Sequence, residues 1–173
     1  TNLGQTSWKK QTGLLSIWIL GMFKPSDDTW VIIPYKNILK LNTSYFGDVP
    51  AEKLKITDHV VLFKGDGKSR SKIGLPPNNA LPLLGSYDAA NKVLTIVEFS
   101  LSDDRDYVNS LWEIQKAPYK GDVINSYNDG PTENGNQMGP FYELESSSPA
   151  KELDPGQSIK HLHSTYHFEG DFK

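Results

Sequence analysis

The chain has 173 residues, 18 Lys plus Arg against 21 Asp plus Glu, a formal net charge of −3 and no cysteine. This length suits one domain, spanning residues 1–173, with a hydrophobic core. With Arg70 and Arg105 as the only arginines, no basic stripe offers a footprint for nucleic acid; disulfides and thiolate metal sites are excluded, and no apolar run is long enough for a membrane-spanning helix.

The opening residues, TNLGQTSWKK, lack both an initiator Met and the basic-then-apolar order of a signal peptide, and read as an interior or processed start of a longer protein. Short apolar bursts bounded by Gly, Pro, Asn and Asp then predict strands at 14–23 (LLSIWILGMF), 30–35 (WVIIPY) and 55–65 (KITDHVVLFKG). Between the last two, VPAEKLK (49–55) places a Pro where a short helical turn would start. YDAANK predicts a tight hairpin ahead of a strand at 92–101 (KVLTIVEFSL), and further strands are predicted at 108–115 (VNSLWEIQ) and 121–129 (GDVINSYND). PTENGNQMGP has little to bury and reads as a flexible loop. Strands at 139–147 (GPFYELESS) and 158–168 (SIKHLHSTYHF) complete an all-β, antiparallel β-sandwich.

The last two strands hold the candidate chemistry. Alternation puts Phe141, Glu143 and Glu145 on one face and Tyr142, Leu144 and Ser146 on the other. Two carboxyls roughly 7 Å apart along a strand repel if buried together, so one acquires a raised pKa and can exchange a proton; if exposed, both simply face water. In the final strand His161, His163, Thr165 and His167 share a face, expected to be the exterior or cleft side, with Tyr166 and Phe168 anchoring the other face in the core. His161, His163 and Glu169, of one parity, form an alternative metal set, whereas His59 reads as a lone strand residue. GDGKS lacks phosphate-loop spacing and no GxSxG is present, which argues against nucleotide and serine-hydrolase chemistry. Trp8, Trp18, Trp30 and Trp112, with eight tyrosines, supply core rings and candidate sugar platforms, since a pyranose presents C–H faces and a rim of hydroxyls.

The elements LES, SPA, DPGQS and TYHF within residues 143–168 resemble the C-terminal signature of the galactose mutarotase-like (aldose 1-epimerase) superfamily, and are similar above all to a bacterial branch of sugar-active proteins. The resemblance covers residues 122–168. It implies a supersandwich or part of one, a carbohydrate ligand, no cofactor, and a periplasmic or extracellular setting. It also implies that the chain is the C-terminal part of a longer protein, whose N-terminal part would be a partner. Glu145 stands at the position of the family's general base. The family's upstream histidine motif has an echo in LNTSYFGD (41–48), where Thr43 replaces the histidine acid. That acid would come from the N-terminal part, or from a C-terminal histidine if strands 139–147 and 158–168 are neighbours. The implied cleft uses Glu145 as base with Glu143, Asn125, Tyr127, Asp129, His161 and His163 around the sugar. A second carboxylate for glycoside cleavage would be Glu143, and a non-catalytic glycan- or partner-binding domain is the alternative.

Overall fold

The computed structural model describes residues 1–111 and 113–170. Among them are ten strands: β1 (Trp18–Phe23), β2 (Thr29–Pro34), β3 (Leu54–Ile56), β4 (Val60–Lys64), β5 (Ser71–Leu75), β6 (Leu83–Asp88), β7 (Val93–Phe99), β8 (Ile124–Asn128), β9 (Tyr142–Ser147) and β10 (His163–Glu169). All pair antiparallel, in a four-stranded sheet ordered β1, β9, β8, β5 and a six-stranded sheet ordered β10, β7, β6, β2, β4, β3. The chain is an all-β antiparallel sandwich, as its short alternating runs predict. No helix among the described residues is long and apolar enough to cross a membrane.

Alternation explains the core. Val31 and Ile33 of β2, Val61 and Phe63 of β4, Leu84 of β6 and Val97 of β7 point inward against Ile73 and Leu75 of β5, Ile124 of β8 and Leu144 of β9. Full burial of each such side chain contributes about 1.5–3 kcal/mol before conformational entropy is counted.

Several boundaries differ from the sequence expectation for local reasons. The run 55–65 divides into β3 and β4 because Thr57 turns the chain: its N–H donates to Val60 O at 2.9 Å and its hydroxyl accepts from Val60 N at 3.1 Å. The helical turn expected near 49–55 is a single 3-10 turn, Ala51–Lys53, entered from Pro50. The hairpin at YDAANK joins β6 to β7, with Lys92 in the left-handed region. Segment 108–115 is not a strand among its described residues. There the Gln115 amide donates to the carbonyls of Asn109 and Leu111 at 3.0 and 2.8 Å, closing a compact loop in place of a ladder; Trp112 lies outside the described residues. The loop 131–140 is tied down by Thr132 N–H donating to Asn136 O and by the Gln137 amide donating to Gly67 O.

The two sheets differ in what covers their outer faces. In the six-stranded sheet β2 and β4 alternate between buried and half-buried, whereas β5 and β8 of the smaller sheet are buried at every position. Something therefore covers the smaller sheet from outside, and the residues beneath that cover are polar.

Candidate functional site

The register of the four-stranded sheet fixes what lies on its outer face. Leu20 pairs with Glu145, Glu145 with Asn125, and Asn125 with Gly74; one step along, Lys72 pairs with Tyr127. Trp18, Leu20, Glu143, Glu145, Asn125, Tyr127 and Lys72 therefore share one surface, because side chains alternate across a strand. The cover comes from residues 41–46, which follow the outer edge of β5. Asn42 and Gly74 exchange backbone hydrogen bonds of 2.9 and 2.8 Å, which turns Tyr45 and Phe46 over the sheet.

Asp122 locks that cover. Its Oδ2 accepts from the Tyr45 hydroxyl at 2.6 Å and from the Asn42 amide at 2.9 Å, while Asn125 Nδ2 donates to the Tyr45 oxygen at 3.0 Å. Burial raises the pKa of Asp122, and burial together with the neighbouring Asp122 charge raises that of Tyr45. Gly74 is required here: a Cβ would overlap the Asp122 carboxylate.

Between cover and sheet lies a cavity of about 390 Å³ lined by Trp18, Tyr45, Phe46, Arg70, Lys72, Tyr127 and Glu143, with Leu20, Ser110, Leu111, Glu113 and Met138 at its margins. Glu145 forms the layer beneath. It is completely buried, and its Oε2 accepts from Trp18 Nε1 at 2.9 Å and from Lys72 Nζ at 3.0 Å. Its Oε1 has no hydrogen-bond partner from any fixed donor among the described residues. Glu143, on the same strand face, is the group that can supply one when protonated. Burial, then the Glu145 charge and the hydrogen bond between the two carboxyls, push the pKa of Glu143 up to about 7, with Lys72 opposing. Of the two carboxyls Glu143 is the one that lines the cavity.

The residues expected at the site therefore divide. Glu143 and Tyr127 line the cavity. Glu145, Asn125 and Asp129 support it from below: Asp129 accepts from the Tyr127 hydroxyl at 2.9 Å and from Gly139 N at 3.1 Å. Burial, with the Asp129 hydrogen bond, pushes the Tyr127 phenol up to about 12. Sequence reasoning did not assign Lys72, Tyr45, Phe46 or Arg70 to the site. The echo of a family motif at 41–48 was the one signal pointing to that cover.

The histidines are elsewhere, and the first two of them face inward, against the expectation. Strands β9 and β10 are not neighbours; they lie in different sheets and meet across the interior. His161 is buried and His163, paired with Phe99, is half-buried, whereas Thr165 and His167 are exposed, as are Tyr166 and Phe168, contrary to the expectation that these two rings anchor the strand in the core. Polar partners inside explain the inward facing of His161 and His163. Ser146 Oγ is hydrogen-bonded to His161 Nε2 and to His163 Nδ1, each at 2.8 Å, and His161 Nδ1 to Ser100 Oγ at 3.1 Å. Because Ser146 faces away from Glu145 on β9, neither His161 nor His163 can serve beside that carboxyl. Glu169 sits at the far end of β10, roughly 20 Å from His163 by strand rise, and no cluster with metal-ligand composition occurs among the described residues.

Burial lowers the pKa of both imidazoles from the ordinary 6.5. Their contribution to stability is therefore present above pH 6.5 and is lost as the pH falls through the lowered values. Ser146→Ala leaves two buried imidazole nitrogens without a partner and should cost about 2–4 kcal/mol. Urea unfolding at pH 7.5 reads this directly; a change below about 0.5 kcal/mol would contradict the network.

The model of a family described as "Family of unknown function (DUF6786)" matches residues 1–173. No curated protein and no solved structure matches the chain.

Proposed function

The chain belongs to this family of unknown function over its whole matched length, and we propose that its outer-face cavity is a carbohydrate site of the galactose mutarotase-like kind, with Glu143 as the group that exchanges a proton with the sugar. The observation that carries this reading is a half-buried carboxyl of pKa about 7 facing a cavity walled by Trp18, Tyr45, Phe46 and Tyr127. Aromatic rings take the C–H faces of a pyranose, and Lys72, Glu143 and Ser110 offer partners for its hydroxyls. A volume near 390 Å³ lies within the range of small-molecule sites. The placement of residues 42–46 over the cavity adds support, since these carry the motif echo.

The resemblance assigns the base to Glu145, but that residue is sealed under Glu143 and acts through it. In its acid form Glu143 gives its proton to the ring oxygen; the anomeric hydroxyl releases one, which returns to Glu143 through cleft water as the sugar opens and recloses. Glu145, held by Lys72 and Trp18, keeps Glu143 protonated near neutral pH. Glycoside cleavage is less well supported. The second carboxyl it would need, Glu145, is completely buried and does not line the cavity.

The test is saturation-transfer and exchange NMR with glucose and galactose. Binding should be detected at the aromatic walls, and anomer exchange above the buffer rate should decline as the pH rises through about 7. Glu143→Gln keeps a fixed donor toward Glu145 and should retain binding while lowering exchange by about 10²-fold or more. Binding without enhanced exchange would leave a glycan-binding domain. No binding of any mono- or oligosaccharide would overturn the reading.

A further inference from the structure

Arg70 stands where two cavities meet. It lines the aromatic cavity described above and a second, more open one of about 620 Å³ that also involves Lys68, Ser69, Thr132 and Asn134. Phe46 belongs to both. The guanidinium is held in place on two sides: its carbon lies 4.3 Å from the Phe46 ring centroid, and Nε donates to the Tyr127 hydroxyl at 3.3 Å. Tyr127 in turn donates to Asp129, whose second oxygen accepts from Gly139 N. The acid nearest in this chain of bonds reaches Arg70 through the Tyr127 phenol and makes no direct ion pair with it. Neighbouring cations are treated differently: Lys68 pairs with Asp27 at 2.7 Å and Lys72 with Glu145 at 3.0 Å. Among the described residues Arg70 has no carboxylate partner, and no hydrogen bond engages its two terminal amino groups.

A planar guanidinium fixed by stacking and by its Nε presents its remaining N–H groups as a fork, the geometry that receives a carboxylate through two parallel hydrogen bonds. We infer that the site takes an acidic glycan, with a pyranose in the aromatic cavity and the carboxylate of a uronate residue on Arg70 at the entrance to the second cavity. This rests on the carbohydrate reading and deepens it by naming the substrate class. Continuity of the two cavities through Phe46 and Arg70 favours an oligosaccharide over a single sugar.

Trigalacturonate and its fully methyl-esterified form share one sugar backbone and differ at the carboxyl groups, in charge and in the ester methyls, and serve as probes, alongside a neutral panel of cello-, malto- and galacto-oligosaccharides. Titration calorimetry at low and moderate salt should find the acid bound at least tenfold more tightly than the ester. That preference should collapse in Arg70→Met, which keeps the stacking volume on Phe46 but removes the fork, and Arg70→Lys should restore only part of it. Circular dichroism and urea unfolding confirm that each variant is folded. Equal binding of acid and ester, or a preference unaffected by Arg70→Met, overturns the acidic-ligand inference and leaves the carbohydrate reading intact. Binding of neither probe, nor of any member of the neutral panel, overturns both.

Discussion

Lys72→Met is expected to destabilise the protein by about 3–5 kcal/mol, the range observed when one member of a buried ion pair is removed and the other charge is left in place. Lys72 Nζ lies 3.0 Å from Glu145 Oε2, with side-chain exposures of 7% and 0%. Its ammonium is also close to two rings, 5.0 Å from the Trp18 centroid and 5.3 Å from that of Tyr45. Water cannot reach Glu145 to replace the lost cation. The double variant Lys72→Met/Glu145→Leu, which buries no charge, should regain most of the loss, so a double-mutant cycle in urea separates the charge effect from loss of packing. A single-variant cost below about 1 kcal/mol would mean that Glu145 is not held as a buried charge. The pair has a second consequence. Lys72 lowers the pKa of Glu143, so in Lys72→Met the Glu143 carboxyl should titrate above about 7, as read from its carboxyl carbon resonance.

That coupling also sets the pH dependence of the fold. Glu143 has a native pKa raised from the ordinary 4.5 to about 7, so its contribution is fully present below pH 4.5 and declines as the pH rises through about 7. The inner histidines act in the opposite direction, losing their contribution on the acid side. Glu143→Gln should therefore flatten the decline between pH 4.5 and about 7 and leave the histidine loss on the acid side unchanged.

Residues 139–147 show how far sequence alone reaches. Alternation correctly separated Glu143 and Glu145 from Tyr142, Leu144 and Ser146, because period-two geometry is local. It could not say which face was covered, because that depends on residues 41–46, about a hundred positions away. The same gap misplaced His161 and His163: polarity suggested an outward face, but Ser146 and Ser100 supply partners inside. Strands β5 and β6 escaped notice because Gly74 and Gly85 interrupt short runs. Both glycines are there for close approach, Gly85 to the Thr95 carbonyl and Gly74 to the Asp122 carboxylate. Arg70 and Lys72 flank the start of β5, so missing that strand meant missing the basic side of the site.

Gly74→Ala is the other change expected to have a large effect, and it tests the cover instead of the floor. The new methyl would overlap the Asp122 carboxylate and approach Asn125 Nδ2 within 2.7 Å, and neither group can retreat into solvent. Overpacking of this kind costs about 1–3 kcal/mol. Displacing Asp122 from the Tyr45 hydroxyl and the Asn42 amide leaves a buried carboxylate short of donors, for about 1–3 kcal/mol more. Because Tyr45 and Phe46 are held over the sheet by that carboxylate, ligand binding should fall further than stability does. In an Asp122→Ala background the two closest colliding atoms are absent and only the Asn125 Nδ2 contact remains, so adding Gly74→Ala should cost less than it does alone, giving a coupling above about 1 kcal/mol in the cycle. Strict additivity would mean that Gly74 tolerates a side chain and that the cover is held by other contacts. The coupling, measured together with loss of binding, would tie the backbone of one edge strand to the wall of the cavity.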